Sequence, residues 1–282
     1  MKTILYATDY SQNSVAALQL AHLLAQKFKA KLIVMHVFDI PITLASPVSV
    51  SYMKKEKKLF VENRAKLATF CSEHLEDDLE AANINFVMDE DGSVWNGILG
   101  KATKFDADMI VVGTKGASPV KEFLLGRTTK ALIRKAQCLV LAVPENAEAV
   151  HFKKMVYATA FEQADILALQ RLVNIAKKFD AQVNVVHIIT QKEYAGEEQM
   201  EWFKEMLNEK VDYKKLDFDL IFSDRVFEEL VGYLKDSEAD LLAMLERKDN
   251  TFYQKYLQRD MVKKMANDIE RPLLSFNVIG LD

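Results

Sequence analysis

A chain that carries its own opening strand–helix–strand twice has little freedom in what it folds into. Residues 4–37 align with residues 155–188 at a constant offset of 151, pairing Tyr6-Ala7-Thr8 with Tyr157-Ala158-Thr159, Lys27-Phe28 with Lys178-Phe179 and His36 with His187. About a third of the aligned positions are identical, far above chance matching, which identifies an internal duplication. The length of 282 residues and a hydrophobic content of 50% supply material for two cores. Domains are therefore expected at 1–146 and 153–282, joined by a short polar link.

The first copy reads in order. Residues 3–7 (TILYA) form a short apolar run followed by a polar turn, Thr8-Asp9-Tyr10-Ser11, and residues 13–28 carry apolar side chains at helical spacing. Residues 31–38 (KLIVMHVF) read as a strand buried on both faces. A charged helix at 52–76 follows, its lysines 54, 55, 57 and 58 reading as a solvated start, then a strand at 84–88 and a helix at 94–104. A strand at 109–112, a helix at 128–136 and a strand at 138–143, stopped by Pro144, close the copy. The second copy repeats the order, with a helix around 197–208, a strand at 217–222, a helix at 226–236, a strand at 241–245, a helix at 254–268 and a strand at 273–278. Strands separated by helical patterns predict parallel sheets covered on both faces: an α/β chain of two tandem doubly wound domains.

Residues 113–129, GTKGASPVKEFLLGRTT, sit between a buried-strand signal and an amphipathic run. A strand, a glycine turn and a helix start, in that order, present unpartnered backbone N–H groups where no Cβ blocks an incoming anion. In an open α/β sheet the ligand crevice lies beyond the carboxyl ends of strands whose crossovers leave in opposite directions. Asp9 would then face sugar hydroxyls or a metal, although it serves equally as a helix cap, and Val37 would line a base pocket. The second copy sets Ala160 opposite Asp9, Leu245 opposite Gly113, Lys248 opposite Gly116 and Arg259 opposite Gly126. It keeps its strands and helices and loses the acid and all three glycines, so it reads as a non-binding domain.

The spacing G-x2-G-x9-G of Gly113, Gly116 and Gly126 resembles the universal stress protein family. Thr8-Asp9, His36-Val37-Phe38-Asp39, Val111-Val112-Gly113 and Leu125-Gly126 match as well, and residues 136–144 resemble the family's closing strand with both prolines replaced. The resemblance is strong over residues 1–146 and holds in outline over 153–282. It implies a five-stranded parallel sheet per domain of the adenine nucleotide alpha hydrolase-like kind, with the domains paired as family dimers pair. It also implies ATP or a related adenine nucleotide at the first copy, with magnesium or manganese, held by Ala7, Asp9, Val37, Val112, Gly113, Gly116, Gly126, Arg127 and Thr128. One position departs: the family has Ser or Thr after the third glycine, and here Arg127 stands there. A guanidinium at a helix N-terminus would clamp a phosphate or fill the phosphate space, and the retained glycines favour the clamp.

Other function classes lose ground. A net charge of −4 argues against a nucleic-acid surface. Cys71 and Cys138 have no metal or disulfide spacing, and no apolar run approaches a membrane span, so a soluble cytoplasmic protein is expected. No P-loop lysine-serine pair follows the glycines, no G-x-G-x-x-G follows the first strand and no G-x-S-x-G elbow exists. His36 recurs as His187 in the copy without glycines, which marks it as structural. No catalytic residues and no metal ligands are assigned, and slow ATP hydrolysis is the most enzymatic behaviour expected. The expectation is a stress-response or signalling module that binds an adenine nucleotide in its first domain, the second acting as an intramolecular pairing partner, with a homo-oligomer left open. The alternative is a structural interaction protein without nucleotide.

Overall fold

The computed structural model describes residues 1–38, 50–76, 83–115, 125–147, 152–191, 196–247 and 261–281, with backbone alone for 50–56 and 196. The apolar runs become strands because each is covered on both faces; β5 (Leu139–Val143) is buried along its whole length. The first half continues through β1 (Thr3–Ala7), α1 (Val15–Phe28), β2 (Lys31–Phe38), α2 (Val50–His74), β3 (Ile84–Glu90), α3 (Val94–Lys104), β4 (Met109–Gly113) and α4 (Arg127–Lys135). The second half comprises β6 (Lys154–Ala158), α5 (Gln163–Phe179), β7 (Gln182–Ile189), α6 (Gly196–Asn208), β8 (Leu216–Phe222), α7 (Val226–Asp236), β9 (Leu241–Glu246), α8 (Met261–Asp268) and β10 (Leu273–Asn277). Both the α/β class and the tandem layout follow the expectation. Boundaries shift slightly: a 3-10 turn at Gln12–Ser14 precedes α1, and α4 starts one residue early, at Arg127. Residues 254–260 of the helix expected at 254–268 lie outside the described residues.

All ten strands join one sheet, in the order β3-β2-β1-β4-β5-β10-β9-β6-β7-β8. Every pairing is parallel except β5 with β10, which run antiparallel with Leu274 opposite Leu141. Each half is thus a five-stranded parallel sheet, and the two fuse edge to edge. Apolar side chains of α1, α2, α5 and α6 form the core on one face, and those of α3, α4, α7 and α8 form the core on the other.

The residues shared by the two copies prove to be packing residues. The pairing of Ile4 with Met109 recurs as Met155 with Leu241, so both sequence offsets survive in register. Asp108 Oδ2 accepts from the backbone N–H groups of Lys2 and Thr3, and Asp240 Oδ2 does the same for Lys153 and Lys154. Lys27 Nζ lies 5.7 Å from the Phe179 ring centre and Lys178 Nζ 5.8 Å from that of Phe28, a reciprocal cation–π contact across the pseudo-two-fold axis. Non-glycine residues with positive φ also come in pairs: Tyr10 with Phe161, Lys29 with Asp180, and Asp106 with Glu238.

Candidate functional site

The crevice of the first half opens where the chain leaves β1 toward one face and β4 toward the other. Beyond Ala7, which is half-buried, Thr8 donates its N–H to the Met35 carbonyl at 3.0 Å, and its Oγ1 accepts from the Tyr10 N–H at 2.9 Å. That hydroxyl also lies 2.9 Å from Ser14 Oγ, which helps hold Tyr10 in its left-handed conformation (φ 63°). Asp9 is exposed beside this turn, its Oδ1 accepting from the Ser11 N–H at 3.0 Å and the Ser11 hydroxyl at 2.6 Å. These bonds close an Asx turn onto Ser11, the N-cap of the 3-10 turn, so Asp9 orders the loop ahead of α1 without itself capping a helix.

His36 donates Nδ1–H to the Thr8 carbonyl at 2.8 Å, and its ring centre lies 4.3 Å from that of Tyr10. Burial depresses its pKa below the usual value, against the opposing influence of the Thr8 carbonyl. His187 makes the same 2.8 Å bond to the Thr159 carbonyl and packs 4.4 Å from Phe161. Both histidines brace the turn after an opening strand, the structural role expected of them.

On the β4 side, the glycines separate by physical cause. A Cβ on Gly113 would meet the Asn13 carbonyl oxygen at 2.9 Å and that of Lys115 at 3.2 Å, so the bare backbone lets β4 approach the β1–α1 loop. Among the described residues, a Cβ on Gly126 would meet nothing nearer than the Thr114 carbonyl oxygen at 3.5 Å, and its φ of −56° suits any residue. Packing among the described residues therefore accounts for Gly113 and leaves Gly126 without a steric cause. Gly126 is the N-cap of α4 and offers no capping side chain, while the first turn holds no acidic residue. Its N–H donates to the Thr114 carbonyl at 2.8 Å, and Thr129 Oγ1 donates to the Gly113 carbonyl at 2.9 Å, tying the helix start to the strand end. Arg127 is exposed at the first helical position and Thr128 is half-buried. Val37 and Val112 are buried in the apolar layer beneath α3 and α4. Gly116 lies outside the described residues.

The equivalent crevice in the second half is bridged from within. Arg247, directly after β9, reaches across to the first turn of α5: its Nη2 lies 2.9 Å from Asp165 Oδ2 and 3.0 Å from Oδ1, and its Nε lies 2.9 Å from Glu162 Oε2. Asp165 is fully buried and also accepts from the Tyr157 hydroxyl at 2.7 Å and the Thr159 hydroxyl at 3.0 Å. Sequence reading recorded only the losses here and missed this gain. The signal was present, because the two offsets set Asp165 opposite Ser14, Glu162 opposite Ser11 and Arg247 opposite Lys115.

Burial pushes both cysteine thiols up to about 12, unlike a reactive redox pair. Among the described residues, no group of three or more His, Cys, Asp and Glu is placed to hold a metal ion, and no helix is long and apolar enough to cross a membrane.

The fold defines a tandem doubly wound α/β protein whose halves share one sheet, the switch-point crevice of the second half being bridged by Arg247. Residues 1–144 match the sequence profile of the universal stress protein family, and the chain belongs to that family. It is similar to a universal stress protein of Thermus aquaticus, 30% identical over 143 residues, which are 50% of this chain and 98% of that one. A universal stress protein of Archaeoglobus fulgidus superposes along 98% of both chains with a TM-score of 0.72 at 15% identity. One of Pseudomonas aeruginosa covers 99% of this chain and 95% of its own with a TM-score of 0.65 at 14% identity. Likeness at these identities concerns the fold.

Proposed function

We propose that the first half binds an adenine nucleotide of the ATP class and that the second half is a non-binding structural partner, the pair serving as a stress-response or signalling module. The observation that carries this reading is Gly126: a glycine that packing among the described residues does not require, at an N-terminus of α4 without a capping side chain, beside a crevice that the other half bridges with its own ion pair. Phosphates would meet the first-turn N–H groups of α4 with Arg127 and Thr128 alongside, and a triphosphate gains from the helix dipole there. Asp9, across the crevice, would face the sugar or a magnesium or manganese ion carried by the nucleotide. Ala7, Val37, Val112, Gly113 and Gly116 complete the proposed site, the valines as apolar wall.

Calorimetry of the full chain with ATP and magnesium, alongside native mass spectrometry of the purified protein, tests the reading. One nucleotide per chain is expected, and Gly126→Val should abolish it while leaving the fold intact, because a Cβ there makes only ordinary van der Waals contact with Thr114 and Thr129. Absence of both heat and co-purified nucleotide sinks the proposal. The scaffold reading would then stand, favoured by the Asp9–Ser11 bonds and by the packing cause of Gly113.

A further inference from the structure

Helix α4 is gripped at both ends by asparagines of the second half. At its start, Asn267 Oδ1 on α8 accepts from the Leu125 N–H at 2.6 Å, one residue before the N-cap Gly126. Asn267 Nδ2 donates to Asp268 Oδ1 at 2.7 Å, which fixes the end of the amide that faces Leu125. At the other end, Asn277, the last residue of β10, donates from Nδ2 to the carbonyls of Ile133 at 3.2 Å and Arg134 at 3.1 Å. Those two oxygens are among the four that a helix C-terminus leaves without an intrahelical partner. Asn277 is buried, and its own Oδ1 accepts from the Ile279 N–H at 3.1 Å, so its amide cannot turn without losing a bond.

The bonds within the first half, Gly126 N–H to Thr114 and Thr129 to Gly113, tie the start of α4 to the end of β4 and the residue after it. A glycine N-cap adds no side chain to hold the turn, and Leu125 is itself buried. Among the described residues, a further restraint on the helix start comes from α8, across the seam between the halves. A phosphate held by backbone N–H groups is sensitive to sub-ångström placement of those groups, so whatever fixes Leu125–Gly126 fixes the binding geometry.

We infer that Asn267 is a positioning residue for the nucleotide site: it holds the Leu125–Gly126 turn from the second half, so that phosphate affinity in the first half is set by the pairing of the two. This rests on the nucleotide reading above. The second half thereby has a role beyond filling an edge, because it completes the pose of the helix on which the site is built. Asn277 supports the same helix at its far end and keeps α4 from tilting about the grip at Leu125.

The test uses the full chain, with Asn267→Ala, which removes the acceptor at a half-buried helix position where alanine is a good helix former, and Asn267→Asp, which keeps it. Amide hydrogen exchange at Leu125 should rise about fivefold or more in the alanine variant and stay near the unaltered rate in the aspartate variant. The dissociation constant for ATP with magnesium should rise about fivefold in the alanine variant, while the melting temperature changes little. Unchanged exchange at Leu125 in Asn267→Ala overturns the inference, and so does faster exchange with unchanged ATP affinity. An unaltered chain that takes no ATP overturns the functional reading and the affinity claim with it. The exchange measurement then still decides by itself whether Asn267 holds the turn.

Discussion

Arg247 is the residue whose removal should be felt most. It is the guanidinium partner of Asp165, a carboxylate with no exposed surface, and it spans from the end of β9 to the start of α5. Removing one partner of a buried ion pair leaves the other charge uncompensated, which costs about 3–5 kcal/mol. Arg247→Ala should therefore shift the urea midpoint of the full chain strongly downward. The first half suggests the rescue: it has Ser14 where the second has Asp165, and Ser14 hydrogen-bonds within the loop without a charge. Asp165→Ser combined with Arg247→Ala should recover most of the lost stability, a non-additivity that a double-mutant cycle reads directly. An unchanged midpoint in Arg247→Ala would show the pair to be energetically idle. His36 gives a second, pH-dependent signature. Burial lowers its folded pKa below the 6.5 of a free histidine, so below that pH the unfolded chain takes up the proton first. The stability contributed by the neutral ring is present above pH 6.5 and is lost as the pH falls through 6.5 toward the folded value. Asn in its place keeps an N–H donor for the Thr8 carbonyl without titrating. The stability difference between His36→Asn and the unaltered chain should thus change with pH below 6.5 and be flat above it; a constant difference across that window contradicts this role.

At the scale of elements, the strands and helices were legible because hydrophobic period and burial are the same physics. β2 spans the residues expected of it, and the common Asp108 and Asp240 turned out to staple the starts of β1 and β6. Turns were less legible. The left-handed residues Tyr10, Lys29 and Asp106, with their counterparts Phe161, Asp180 and Glu238, are not glycines, so no composition signal marks them. The glycines differ in a way the spacing does not show: Gly113 has a packing cause in the Asn13 carbonyl pressed against it, whereas Gly126 has none among the described residues. A sequence cannot separate these two positions, because each shows the same missing Cβ. The grip of Asn267 on Leu125 was hidden for a different reason. It joins residues 142 positions apart across a seam between halves, where no periodicity reaches.

At the scale of the whole molecule, the seam determines what the duplication achieves. β5 is buried at every position and pairs antiparallel with β10, and the reciprocal Lys27–Phe179 and Lys178–Phe28 contacts lie about the same pseudo-two-fold axis. An antiparallel pairing of two equivalent edge strands is isologous, so one half presents to the other a surface that is close to self-complementary. An isolated first half would expose β5 as an unpaired apolar edge, the kind of edge that recruits another strand. Residues 1–147 expressed alone should therefore form a dimer through β5, with two chains standing in for the two halves and Lys27 meeting the partner's Phe28. Sedimentation at micromolar concentration should give twice the mass of the half, and Leu141→Lys, which places a charge in the middle of the seam, should return it to the monomer. A half that remains monomeric would mean that the seam depends on contacts unique to the second half, of which Asn267 to Leu125 and Asn277 to the end of α4 are the strongest candidates.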